Sequence, residues 1–232
     1  MAAASAAGKG DVMDLQVDIV SDVICPWCYI GKRRFERALA AAEGRHRVAV
    51  TWRPFQLNPD MPADGMARGP YLEAKFGDRA RAGAFFARIE AAGAGEGIAF
   101  AFDRIVRTPN TVQAHRLIRL GQQLERQDAV VEALFEGYFT AGADIGDSAV
   151  LVGLAERAGL PPADVERYLA GDQDRELVLG EDDAARRMGI NGVPCFILEQ
   201  QYAISGAQEP EVLAEAFERV AELTAAPQAR RA

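Results

Sequence analysis

The sequence predicts an α/β fold, one mixed domain interrupted by a large all-helical insertion. Three observations predict it. Apolar and polar residues alternate around Leu15 and again around Val48, on either side of a stretch with helical spacing. From about residue 59 to residue 189 the apolar spacing is helical almost throughout. Strand character then returns in two short apolar runs before a final helical stretch. The order is β-α-β, a long helical block, then β-β-α.

Each element has its own signal. Leu15, Val17 and Ile19 alternate with Gln16 and Asp18, and the run turns fully apolar at Val20. After Cys25 the period changes: Phe35, Ala38, Leu39 and Ala42 share one helical face, with Gly44 as a stop. Val48, Val50 and Trp52 alternate again, and the crossover is long enough to make the two strands parallel with a right-handed connection. Inside the block, Phe85, Phe86 and Ile89 lie on one helix, read as core of the insertion. A second helix starts near Asn110 and a third carries Val130, Leu134 and Tyr138. Asp147 or Ser148 caps a fourth, Pro161–Pro162 open a fifth, and a sixth spans about 174–188. Cys195–Leu198 and 202–204 read as a hairpin turning at Gln200–Gln201, followed by a helix from near Pro210. The division that follows is 13–58 with 190–226 for the α/β domain, 59–189 for the insertion, and 1–12 and 227–232 as disordered tails. Met13 is a candidate true start.

Composition narrows the function. Of 232 residues 49% are hydrophobic and 26% charged, the balance of a globular chain, and no apolar window is long enough for a membrane span. A net charge of −8 argues against nucleic-acid binding, which needs a basic face. Residues 1–10 lack the basic start and apolar core of a secretory signal, so the expected location is cytoplasmic. Three cysteines form no disulfide framework; in that compartment thiols are catalytic, metal-binding or inert.

Two of the three stand in Cys25-Pro26-Trp27-Cys28, where the first strand meets its helix. A thiol at a helix N-terminus faces unpaired N–H groups and the positive end of the dipole, which favour the thiolate. Pro26 suits the first helical turn, where its missing N–H costs nothing. The spacing sets the second sulfur within one turn of the first, in reach of a mixed disulfide. Cys25, the outer residue, is therefore the expected nucleophile and Cys28 the resolving thiol. A zinc site would need two further ligands at suitable spacing, and the chain offers no second CxxC and no HxxxH, so no metal is expected. Trp27, a large apolar residue in that loop, reads as exposed and available to substrates.

Gly192-Val193-Pro194 precedes the returning strand. With the strand-CPWC-helix start and the helical block between, this resembles the DsbA-like branch of the thioredoxin superfamily. Within it the chain is most similar to the cytoplasmic FrnE-like oxidoreductases, relatives of the 2-hydroxychromene-2-carboxylate isomerases. Trp52-Arg-Pro-Phe-Gln-Leu-Asn-Pro-Asp, Met188-Gly-Ile-Asn-Gly-Val-Pro-Cys-Phe-Ile and Ile204-Ser-Gly-Ala-Gln carry the likeness, which runs from Leu15 to about Leu223. The resemblance implies a thioredoxin-like fold and a cis Val193–Pro194 bond beside the CxxC. It also implies strand-like pairing of substrate with the backbone at Val193, so that Pro26, Trp27, Val193 and Pro194 are the expected substrate-binding residues.

Weaker features carry two readings each. Cys195 follows that proline and either joins the redox chemistry or is a small buried hydrophobe, the second being favoured. His115, in a stretch resembling an Asn-x-x-x-Ala-His-Arg pattern of the same family, either faces the cleft as a proton carrier or is satisfied between helices, again the favoured reading. Lys32, Arg33 and Arg34 either attract anionic substrates such as glutathione or form a solvated helix face.

The leading function is thiol–disulfide oxidoreduction on protein or small-molecule disulfides, as a milder oxidant than the DsbA type because Trp27 stands where a histidine would stabilise the thiolate. No cofactor is expected, glutathione being a candidate redox partner or co-substrate. The alternative is a glutathione-dependent isomerase or kappa-class transferase, in which a serine occupies the place of Cys25. A third reading is a redox-switched binding module. Substrate, potential, electron donor and the choice between monomer and homodimer lie beyond the sequence.

Overall fold

The structure, a computed structural model, describes residues 13–228; residues 1–12 and 229–232, both within the expected tails, lie outside the described residues. A four-stranded sheet in the order β2-β1-β5-β6 organises the fold. β1 (Met13–Ser21) pairs in parallel with β2 (His46–Pro54), Leu15 opposite Val48 and Ile19 opposite Trp52. On its other side β1 runs antiparallel to β5 (Cys195–Leu198), which pairs with β6 (Tyr202–Ser205). The expected β-α-β and β-β-α parts thus meet in one sheet, with β1 at its centre.

The two sheet faces follow from the period-two alternation. Leu15, Val17, Ile19, Phe196 and Leu198, each at most 1% exposed, point to the side covered by α1 (Pro26–Ala41) and α9 (Pro210–Gln228). There Phe35 stacks on Phe196 at 5.4 Å and meets Phe217 edge-on at 5.7 Å. Burying each such side chain contributes roughly 1.5–3 kcal/mol. The opposite face carries Val20 and Cys195, which pack with Phe55 and with Ala185 of α8 (Arg175–Arg187).

Between β2 and β5 the chain is largely helical. α2 (Arg68–Phe76) and α3 (Arg79–Gly95) lead into α4 (Val112–Gln123), α5 (Gln127–Phe139), α6 (Ser148–Arg157), α7 (Pro162–Ala170) and then α8. Asp147 caps α6 by accepting from Ala149 N and Val150 N, and Pro161–Pro162 open α7, as the sequence suggests.

Four details differ from the sequence reading. α2 was not anticipated, because Gly69 and Pro70 in its first turn mask the Leu72–Phe76 spacing. The block also contains a two-stranded ribbon, β3 (Met66–Ala67) against β4 (Arg107–Thr108). Gly65 makes that ribbon feasible: its φ is +69°, and a Cβ there would lie 2.6 Å from the Thr108 carbonyl oxygen. The hairpin turns at Glu199–Gln200, one residue earlier than expected, with both residues left-handed at φ 51° and 55° within the three residues left between the paired Leu198 and Tyr202. Lastly, α9 extends to Gln228, into the stretch 227–232 read as a tail.

Candidate active site

The junction of β1 and α1 builds the site. Cys25 is the N-cap of α1, extended at φ −90° and ψ 110°, and Pro26 opens the helix. Its amide donates to Asp22 O at 3.0 Å, and its carbonyl accepts from Cys28 N at 3.0 Å and Tyr29 N at 3.4 Å. The loop is therefore fixed by main-chain bonds that do not depend on side chains.

The returning strand completes the site. Because β5 pairs with β1, the residues before it arrive beside the start of α1. The Val193–Pro194 peptide is cis, and the Cys25 thiol donates to the Val193 carbonyl at 3.5 Å. Pro194 O accepts from Gly206 N at 2.8 Å, which ties the turn to β6. Pro194 also fills the space over Gly31, where an added Cβ would stand 2.9 Å from its Cγ. Gly31→Ala is expected to displace Pro194, to cost about 1–3 kcal/mol of stability and to slow the chemistry at Cys25. Urea denaturation alongside a thiol-exchange assay checks this; unchanged values in both would mean that Pro194 yields without consequence.

The two thiols differ in environment. Cys28 is 1% exposed and Cys25 4%, but Cys25 lines a cleft while Cys28 lies behind it. Burial pushes the Cys28 thiol well above its ordinary range, and the neighbouring Cys25 sulfur adds to the rise; the Ser21 hydroxyl and the Asp22 main-chain N–H oppose it. Burial raises the Cys195 thiol too, with the Ser205 hydroxyl opposing. All three cysteines are free.

The cleft in front of Cys25 has a volume of about 240 Å³. One wall is Pro26, Trp27 and Val193, and the other is α2 with the middle of α3, including Tyr71, Phe76, Phe85 and Phe86. Phe85 and Phe86 thus line the cleft rather than serving only as core of the insertion, Phe85 being 38% exposed. From Phe86 the aromatic packing continues through Phe102, Phe100 and Phe139 to Tyr29, one residue after Cys28. Trp27 is half-buried against the core, not exposed as expected.

The cations at the cleft are not the expected ones. Lys32 is buried among Glu36, Asp128 and Glu132, Arg33 pairs with Glu36 and Glu132, and Arg34 with Glu96 and Glu209. Their charges are neutralised within the fold, so they are neither an anion trap nor a solvated face. Arg68 and Lys75 of α2 line the cleft instead. The Arg68 guanidinium lies 5.6 Å from the Tyr71 ring centroid and 5.4 Å from that of Phe86, and it donates to Thr108 Oγ1 at 3.1 Å. Lys75 Nζ donates to the Tyr71 hydroxyl at 2.9 Å. Neither forms an ion pair among the described residues.

Two residues with a possible place in the cleft, for each of which burial is the favoured reading, do not line it. His115 is 4% exposed, with Nε2 at 3.2 Å from Phe55 O and 3.4 Å from Asp22 Oδ1. Cys195 is 2% exposed on the α8 side of the sheet, the position of a small buried hydrophobe. The sequence reading missed Arg68, Tyr71 and Lys75, whose signal was the Leu72–Phe76 spacing after Pro70.

Comparison with known proteins agrees with this geometry. A solved structure of a probable DsbA oxidoreductase from Streptomyces coelicolor shares 36% identity, covers 88% of this chain and 89% of its own, and superposes with a TM-score of 0.81. A 2-hydroxychromene-2-carboxylate isomerase (16% identity, 90% of this chain and 98% of its own, TM-score 0.68) has the same fold. So does the cytosolic disulfide reductase DsbM from Pseudomonas aeruginosa, solved with GSH (17% identity, 88% and 98%, TM-score 0.62). The model of the DsbA-like thioredoxin domain matches residues 16–218, nearly the whole described chain. The sheet and the helical block are therefore those of the DsbA-like thioredoxin domain family, to which this chain belongs.

Proposed function

We propose that the protein is a thiol–disulfide oxidoreductase in which Cys25 attacks and Cys28 resolves. The observation that carries this reading is the asymmetry of the pair: Cys25 opens on the cleft, and Cys28 sits buried behind it with its thiol pushed high. The Cys25 thiolate attacks one sulfur of a substrate disulfide, whose S–S bond breaks and whose other sulfur leaves as a thiolate. Cys28 then attacks Cys25 Sγ, forming the Cys25–Cys28 disulfide and releasing the second substrate sulfur. Two electrons pass from protein to substrate, and the same steps reversed oxidise a substrate dithiol.

Pro26, Trp27, Val193 and Pro194 are the residues a substrate meets beside Cys25. The carboxylates of a small thiol such as glutathione suit Arg68 and Lys75, which lie in the same cleft without acidic partners among the described residues. Those cations also favour the second reading, a glutathione-dependent isomerase or transferase, but a resolving cysteine behind Cys25 is superfluous to that chemistry.

The test is the reduction potential, from equilibration with glutathione buffers and trapping of free thiols. A reversible two-electron exchange is expected, lost in Cys25→Ser and in Cys28→Ser, at a potential well below the roughly −120 mV of DsbA. Thiols that never pair across the range would overturn the reading and move the weight to the glutathione-dependent alternative.

A further inference from the structure

The cleft leaves little room in front of its nucleophile. Cys25 is 4% exposed, and the volume of about 240 Å³ lies below the roughly 300–1,000 Å³ of sites that enclose a drug-sized compound. A small disulfide reaches the sulfur there. A disulfide carried on a polypeptide, with chain on both sides of it, does not reach it unless one wall yields.

The walls differ in how they are held. The Cys25 loop is fixed by main-chain bonds to Asp22, Cys28 and Tyr29, and the turn at Pro194 is tied to Gly206. α3 is anchored as well: Ile89 is fully buried, and Glu96 at its end pairs with Arg34 and Arg37 of α1. α2 is the exception, since none of its nine residues is buried. Among the described residues its polar ties to the body are three. The Arg68 amide donates to Val106 O at 2.9 Å, Arg68 Nη1 to Thr108 Oγ1 at 3.1 Å, and the Tyr71 hydroxyl to Asn58 Oδ1 at 3.2 Å. Phe76 rests on Phe85 and Phe86, with ring centroids 5.1 and 6.0 Å apart. The same joint leaves Arg68 Nε and Asn58 Nδ2 buried without hydrogen-bond partners among the described residues, so the contact is incompletely satisfied. A segment with so few buried contacts belongs to the least stable part of a fold.

Behind α2 there is space to move into. A second cavity of about 990 Å³ lies on its other side, lined by Gly69, Leu72, Glu73, Ala82, Gly83 and Val106. Arg68 and Leu72 line both spaces, so α2 is the partition between them. Its two ends are unequal. The start is held by the β3–β4 ribbon, whereas the end runs into Gly77, at φ +77° with no atom within 4 Å of where a Cβ would stand. Glycine adopts that backbone without strain, and nothing packed against it resists a change of angle. An anchored start and an unhindered glycine at the end are the parts of a hinge.

We propose that α2 is a yielding wall: it swings about the β3–β4 ribbon into the cavity behind it, and its position decides how large a disulfide reaches Cys25. This rests on the thiol–disulfide reading of the Cys25–Cys28 pair, whose covalent steps are unchanged. With α2 forward, the cleft admits small disulfides. With α2 back, the front and rear spaces join, and a polypeptide segment lies across Cys25 with its disulfide at the sulfur. The closed position excludes the larger substrate by volume, and the open one is paid for only by the three polar ties and the Phe76 contact.

Gly83 allows a test that leaves the cleft untouched. It is exposed on α3, lines the rear cavity but not the front one, and a Cβ added to it meets no atom within 4 Å. Gly83→Trp sets an indole in the path of Leu72 and Glu73, while Gly83→Ala adds only a methyl and is the control. The experiment is kcat/KM for the catalysed reduction of two substrates by dithiothreitol, the small hydroxyethyl disulfide and the polypeptide insulin. Amide hydrogen exchange over residues 71–77 follows α2 directly. In Gly83→Trp the value for insulin is expected to fall about tenfold, as when the competent state is a tenth as populated, and that for hydroxyethyl disulfide to stay within about twofold. Exchange over 71–77 slows in the same variant, and Gly83→Ala matches the wild type in all three measurements. An equal fall for both substrates, or no change for either, overturns the proposal, as does a wild type that reduces hydroxyethyl disulfide but not insulin. A wild type that reduces neither would instead overturn the oxidoreductase reading itself.

Discussion

Cys28→Ser is expected to turn the protein from a turnover catalyst into a trap. Cys25 remains at the helix N-terminus on the cleft, with its hydrogen bond to Val193 O, so attack on a disulfide proceeds. Nothing then displaces the substrate. A serine hydroxyl is no nucleophile toward a disulfide at neutral pH, and Cys195, the remaining thiol, lies on the α8 side of the sheet. The mixed disulfide accumulates to one substrate per chain, and steady-state turnover falls by about 10³-fold or more, the scale seen when one member of a covalent machinery is removed. Mass spectrometry of the unreduced protein and a disulfide-reduction assay measure both quantities. Retention of half the wild-type turnover would show that an external thiol such as glutathione performs the second step. The chemistry would then be monothiol, with Cys25 carrying it alone.

The same experiment marks where the sequence is informative. CxxC at a strand–helix junction is a local pattern, and the chemistry it implies depends on a helix terminus that the same residues create. For that reason Cys25 and Cys28 were legible before any fold was known. The sheet was legible because the alternation of Leu15, Val17 and Ile19 is broken only where β1 ends, and because Cys195–Leu198 is too short and too apolar for anything but a buried strand. What stayed hidden depends on contacts between distant segments. Lys32 reads as a surface residue in a Lys-Arg-Arg run, and only the arrival of Asp128 and Glu132 from α5 makes it a buried one. The cleft's second wall was missed because Pro70 reads as a breaker, although proline in a first turn is compatible with a helix. These errors share one cause: charge and turn residues were judged by their neighbours in sequence, while their partners lie some 40 to 130 positions away.

Arg116→Ala is expected to be the most destabilising single change in the helical block. Arg116 is 0% exposed and forms no salt bridge among the described residues. Its guanidinium instead collects the end of α7: Nη2 donates to Tyr168 O at 2.8 Å and Gly171 O at 2.7 Å, Nε to Gln173 O at 2.8 Å, and Nη1 to Leu169 O at 3.5 Å. The ring of Tyr168 covers its face at 4.9 Å. The carbonyls of Tyr168 and Leu169 are among those a helix C-terminus leaves unpaired, at the negative end of the dipole, and the Gln113 side-chain oxygen accepts from Nη1 as well, so the cation is compensated without an acidic side chain. Alanine would leave several buried acceptors orphaned and a cavity between α4 and α7. Breaking a buried charged network of this kind costs about 3–5 kcal/mol. For a chain of this size that corresponds to a fall in Tm of roughly 10 °C. Lysine would not rescue it, because a single ammonium cannot span carbonyls that the planar fork reaches together. Thermal and urea denaturation of Arg116→Ala and Arg116→Lys test this. A loss below about 1 kcal/mol in the alanine variant would mean that water enters and satisfies the same carbonyls.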